Sequence, residues 1–221
     1  MDKKELLQEL EEQIKKCKKC RLCDLAKNAV PGEGDPNAEI VFIGEAPGAN
    51  EDEQGRPFVG RAGRLLEFLL HQVKMNREDV WIGNIIKHRP PQNRDPLPDE
   101  IEACQPYLTA QLEILKPKLI VTLGRYSMNY FLPDAKISQA HGQVYQSGAY
   151  NFYPVYHPAA ALRNSGMKNT LILDFLEIPN VLQRIKEGAQ QSPSTSSQEE
   201  LKTKTIDPEK VQDQNSQINL L

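Results

Sequence analysis

Three short apolar runs constrain the fold more than any other feature: EIVFIG (39–44), VWIGNII (80–86) and KLIVTLG (118–124). None alternates apolar with polar residues. A strand buried on both faces reads this way, and such strands belong to parallel sheets covered by helices. The intervening segments supply helices. Leu6, Leu7, Leu10 and Ile14 form a helical stripe over residues 3–16, and further helices are expected over about 62–74 and from Pro98 to about Leu115. A short helix follows Gly124, GQVYQSGAYNFYPVYHP reads as a hairpin entering a last strand, and residues 168–186 look helical. The proline-rich RPPQNRDPLP is loop, because proline supplies no amide donor. Strands alternating with helices predict an α/β fold with a parallel sheet. Such sheets bind ligands beyond the carboxyl ends of their strands, which directs attention to Gly44 onward, Asn84 onward and His157.

The mean hydropathy of −0.56 is low for a compact α/β chain, and the polar end explains it. From Glu187 to Leu221 there is no aromatic residue and little that could be buried, so a catalytic domain over 1–186 and a disordered tail over 187–221 are expected. The tail holds six acidic and three basic residues, which leaves 24 of each sign in the body. A neutral body can still carry a local basic face. The N-terminus is charged throughout and no apolar run approaches a membrane span, so a cytoplasmic chain with reduced thiols is expected.

GEAPGANEDEQGRPFVGRAG (44–63) follows the first strand and runs into a helix. Its glycines allow tight turns, and the helix N-terminus suits an anion such as a phosphate. Gly55, Gly60, Arg61 and Ala62 echo a nucleotide phosphate loop, but Arg-Ala lacks the lysine and metal-binding hydroxyl that such a loop requires. Asn84 is a polar residue in an otherwise apolar strand, and its amide offers both an acceptor and donors. His157 lies between an apolar strand and Pro158, and the proline disfavours helix there. Arg163 and Lys168 follow as candidate phosphate contacts.

The run CKKCRLC places Cys17, Cys20 and Cys23 three residues apart among lysines, and the fourth cysteine is Cys104. The Cys17–Cys20 spacing is that of a metal site, and the neighbouring lysines favour thiolates. His88, directly after the second strand, is a further candidate ligand.

Together, GEAPGANEDEQGRPFVGRAG, NIIKHRPPQNRDPLPDEIEACQPYL, HGQVY and YPVYHPAAALRN resemble the four signature regions of the family 4 uracil-DNA glycosylases, in the same order, over roughly residues 3–186. The resemblance implies a three-layer α/β/α fold with a four-stranded, mostly parallel central sheet. It also implies a monofunctional hydrolase that removes uracil from single- or double-stranded DNA, and a structural [4Fe–4S] cluster. Carried over by motif, Asn84 reads uracil, Phe58 stacks on it and His157 lies over its O2. Glu45 or Glu51 serves the sugar side, and Gly44 and Ala46 belong to the same pocket. Glu51 or a nearby loop residue walls off the thymine methyl. Arg61, Arg163 and Lys168 face the DNA.

Family members usually carry cysteine where His88 stands. The resemblance therefore implies Cys17, Cys20 and Cys104 as three cluster ligands and leaves His88 or Cys23 as the fourth. Imidazole ligation of a cluster, a C-x2-C-x2-C run on a cubane, and a zinc held by three thiolates and an imidazole are all chemically sound. Two other readings stand beside uracil excision: a superfamily glycosylase with broader deaminated-base specificity, and a non-catalytic DNA-binding relative. A monomer is expected, with the tail as a segment that recruits a repair or replication partner.

Overall fold

The computed structural model describes residues 1–190. In chain order the helices and strands are α1 (Lys3–Lys15), α2 (Leu22–Leu25), β1 (Glu33–Gly34), β2 (Ile40–Gly44), α3 (Ala49–Gln54), α4 (Arg61–Gln72), β3 (Trp81–Asn84), α5 (Pro98–Leu115), β4 (Leu119–Leu123), α6 (Arg125–Phe131), α7 (Ile137–Ala140), β5 (Tyr145–Ser147), β6 (Tyr150–Val155), α8 (Pro158–Ala161) and α9 (Ser165–Gln190). The sheet order is β1-β3-β2-β4-β6-β5. The four inner strands are parallel, and β1 and β5 pair antiparallel at the two edges. The expected four-stranded sheet is thus the parallel core of a six-stranded one. The β5–β6 pair is the expected hairpin, whereas β1 was not anticipated, because it is two residues long and not buried.

The strand sequences divide their side chains between two layers. Ile40 and Phe42 pack with Leu65, Leu66, Leu69 and Leu70 of α4 and with Leu171, Phe175 and Ile178 of α9. Val41 and Ile43 face the other way, against Cys104, Leu108, Leu112 and Leu115 of α5. This is the period-2 alternation of a strand sandwiched between helices. The Phe42 and Phe175 rings stack 5.7 Å apart across the first layer. Outside the second layer, Leu10 and Ile14 of α1 pack with Cys17 and with Tyr107 of α5. α1 starts on a capping box, in which the Asp2 carboxylate accepts from Glu5 N (2.8 Å) and Glu5 Oε2 accepts from Asp2 N (2.9 Å).

α9 begins at Ser165 and continues through Gln190, past the expected end of the domain at 186. Residues 191–221, which carry most of the expected tail, lie outside the described residues. Among the described residues, no helix is long and apolar enough to cross a membrane.

Candidate active site

The carboxyl ends of the parallel strands open into a cleft of about 630 Å³. Glu45, Ala46, Glu51, Phe58, Asn84, His157 and Arg163 line it together. β2 and β3 run in register with Gly44 opposite Asn84, so the strand ends deliver Glu45 and Asn84 side by side. β6 delivers His157 two residues beyond Val155.

Gly44 packs against Asn84 and Phe58 and is not itself part of the cleft wall. A Cβ there would lie 2.5 Å from Asn84 Oδ1 and 2.6 Å from Phe58 Cζ, so a side chain at this position would displace both groups. The Asn84 side chain is buried, and among the described residues its Oδ1 has no hydrogen-bond partner. Leaving a buried carbonyl oxygen unpaired typically costs about 1–3 kcal/mol, a cost that a ligand donor would relieve.

Phe58 sits at φ 51°, a left-handed conformation unusual for an aromatic residue. Its turn is held from several sides. Glu51 Oε1 accepts from Val59 N (2.9 Å) and Gly60 N (2.8 Å), and Arg77 donates to Phe58 O (3.0 Å) and to Pro57 O. Gly63 completes it, since a Cβ would fall 1.8 Å from Phe58 O. The Phe58 ring lies against His157, with centroids 5.8 Å apart and planes 29° apart.

His157 caps α8. Its Nδ1 accepts from Ala159 N at 3.0 Å, so the ring proton belongs on Nε2. Burial pushes its pKa down to about 4, with Glu51 opposing and Arg163 reinforcing the shift. The residue is therefore a neutral N–H donor at physiological pH. Glu45 is shifted the opposite way. Burial and the negative charge of Asp95 raise its pKa to about 7, and Arg125 opposes them.

Arg61 and Lys168 are absent from the cleft wall. Arg61 is exposed at the first turn of α4 and Lys168 is half-buried in the first turn of α9, so both stand outside the pocket. Asn93, Arg94, Asp95, Arg125 and Tyr126 line the cleft without having been foreseen. Arg125 Nη2 donates to the Tyr126 hydroxyl (2.7 Å), which donates in turn to Asp95, linking α6 to the proline-rich loop. The strand-end rule covers Arg125 and Tyr126, which follow β4. The loop residues carry no periodic signal.

Cys17, Cys104 and His88 are buried, and Cys20 is half-buried. Burial pushes the Cys104 thiol up to about 11, and among the lesser influences Lys87 lowers it while Cys20 and Cys17 raise it. Burial also raises the Cys20 thiol, followed by smaller influences that include Cys17. The three thiols are thus close enough to sense one another. Cys23 donates to Asp24 at 3.5 Å, and burial raises its thiol, with Cys20 among the lesser influences that raise it. Burial lowers the His88 imidazole; Asp52 opposes the shift and Lys18, within the cysteine run, adds to it. Three sulfur donors and one imidazole suit an iron–sulfur cluster, and the same donor set suits zinc. Among the described residues, no three such groups converge as a ready-made site for a single ion.

A model of the uracil DNA glycosylase superfamily matches residues 31–177. The type-4 uracil-DNA glycosylase of Saccharolobus solfataricus is 49% identical over 166 residues, covering 71% of this chain and 77% of that protein. That of Sulfurisphaera tokodaii is 47% identical over 182 residues, with 78% and 83% covered. That of Thermotoga maritima is 42% identical over 179 residues, with 79% and 93% covered. Matches of this extent, on a chain whose signature regions meet in one cleft, show that it belongs to the type-4 uracil-DNA glycosylases of the uracil DNA glycosylase superfamily.

Proposed function

We propose that this protein excises uracil from DNA by hydrolysing the N-glycosidic bond of a flipped-out deoxyuridine, leaving an abasic site. The observation that carries this reading is the unpartnered Asn84 Oδ1, buried at the floor of the cleft beside Phe58. Uracil presents an N3–H donor beside the O4 acceptor. An Asn amide matches both, with Oδ1 accepting and Nδ2 donating. Cytosine presents the reverse pattern and would leave the amide mispaired. A base inside the duplex cannot reach this floor, so it must leave the stack first. The Phe58 ring gives it a surface to stack on.

As the C1′–N1 bond breaks, its electron pair moves into the uracil ring and positive charge builds on the sugar. The His157 Nε2–H donates to O2, where the leaving anion gathers charge. A neutral donor suits this role, because it stabilises the anion without protonating it. Glu45, when ionised, stabilises the cationic sugar or orients the water that adds to C1′. Glu51 has one oxygen engaged by two backbone amides, so we assign it to shaping the Phe58 turn rather than to the sugar. Arg163 on the rim, with Arg61 and Lys168 outside it, supplies contacts for the DNA backbone.

We assign Cys17, Cys20, Cys104 and His88 to a [4Fe–4S] cluster, preferring His88 over Cys23 because it is buried and holds the position at which the resemblance implies a cysteine ligand, whereas Cys23 turns to Asp24. Bound there, a cluster would act as a cross-link between the N-terminal segment and α5, and no step of the hydrolysis needs it.

Single-turnover reactions on a labelled strand with one uracil, followed by alkali, test the reading. Matched strands carry thymine or hypoxanthine, and an N84A/H157A variant runs beside them. Abasic sites at uracil alone, lost in the variant, are expected. A wild-type protein with its metal intact that leaves uracil untouched would overturn the reading.

A further inference from the structure

Behind Asn84, the structure buries a lysine. The Lys87 side chain is 1% exposed. Its Nζ donates to the Asn84 backbone carbonyl (2.8 Å) and to Gln111 Oε1 (2.7 Å). Gln111, itself buried, donates to Pro31 O (2.8 Å), and Lys87 O accepts from Val30 N (2.7 Å).

We propose that Lys87 is a positioning residue for the base-reading amide: its ammonium, clamped between the Asn84 carbonyl and Gln111, fixes the Asn84 backbone from behind and couples it to α5, the helix that carries Cys104. This inference rests on the uracil reading above. Lysine is almost never fully buried without strong partners, and both acceptors here are neutral. A buried charge solvated only by dipoles is costly, and an apolar side chain of similar length could fill the same space at no such cost. Packing therefore does not account for the ammonium. What it adds is direction. Asn84 is the last residue of β3, and after it the backbone turns, with Ile85 N and Ile86 N bonding Gly44 O and Glu45 O. The Asn84 carbonyl faces away from that turn, and Lys87 holds it. The orientation of this peptide sets where the unpartnered Oδ1 points.

The test is a double-mutant cycle on single-turnover excision from uracil-containing DNA. K87M, N84A and K87M/N84A are measured with wild type, each with its iron content and melting temperature. K87M is expected to lower the rate about tenfold in the wild-type background and less than about twofold in N84A, with iron per protein unchanged. A wild-type rate in K87M overturns the proposal. So does an equal loss in both backgrounds, or a loss that only follows loss of iron. If K87M fails to fold, Q111M keeps the ammonium and removes one of its anchors. It should lower the rate about threefold, again with little effect in N84A, and a wild-type rate for Q111M overturns the proposal. Wild-type protein that leaves uracil in place would instead sink the uracil reading, a result distinct from the others.

Discussion

At the scale of single residues, two titratable groups in one cleft are driven apart in opposite directions. His157 is pushed down to about 4 and Glu45 up to about 7. Each group is thereby kept neutral, in the free protein, over a pH range in which it would ordinarily be charged. The consequence for Glu45 has a definite sign. In the proposed mechanism its carboxylate is the active form, so kcat/KM should rise with pH through about 7 and fall below it. Asp95 raises this pKa and Arg125 lowers it, so D95N should move the acid limb to lower pH and R125M to higher pH. A pH profile of the three proteins checks this, and an unmoved limb in D95N would remove Glu45 as the group observed. H157A should lower the single-turnover rate by about 10²–10³ with little change in DNA binding, since the donor acts on charge that appears only as the bond breaks. Binding and rate measured on one substrate separate the two effects. Asn84 and His157 were legible in the sequence as polar residues in or just beyond apolar strands, and Glu45 through the family resemblance. Arg125 and Tyr126 follow β4 and fall under the same strand-end rule, but Asp95 was not legible, because its contact with Tyr126 joins a loop to a helix start that is distant in the chain.

At the scale of elements, the glycine-rich segment between β2 and α4 is a brace for Phe58. Glu51 lies in α3, a six-residue helix that the sequence reading took for loop, since ANEDEQ has no apolar stripe to betray it. That helix carries the carboxylate to Val59 N and Gly60 N. The family resemblance implied a sugar or thymine-excluding role for Glu51, and its bonds to Val59 N and Gly60 N favour the supporting role proposed above. E51A should free two backbone donors, lower stability by about 1–3 kcal/mol and weaken substrate binding more than it slows the bond-breaking step. Thermal unfolding beside KM and kcat tests this, and a pure kcat loss at unchanged stability would restore Glu51 to the chemistry. The long helices were legible because they carry apolar stripes over many turns, as α4 and α5 do. α3 and α8, at six and four residues, are too short to carry such a stripe.

At the scale of the whole molecule, the question is how the N-terminal segment stays attached. α1 reaches the body through the small cluster of Leu10, Ile14, Cys17 and Tyr107. A cluster ligated by Cys17 and Cys104 would close a loop of about 87 residues. By loop-closure entropy alone such a link is worth about 4–5 kcal/mol, so the metal should matter for stability well beyond its local contacts. Removing iron should therefore expose α1 amides to hydrogen exchange first, while the inner strands stay protected. The identity of the fourth ligand then becomes a property of the whole fold. If His88 is that ligand, H88A should lose iron and lower the melting temperature, and C23S should do neither. H88C, which restores the residue the family usually has there, should give a cluster whose visible absorbance bleaches more slowly in air. Equal bleaching of H88C and wild type would count against His88, and loss of iron in C23S alone would assign the site to the third thiol of the cysteine run.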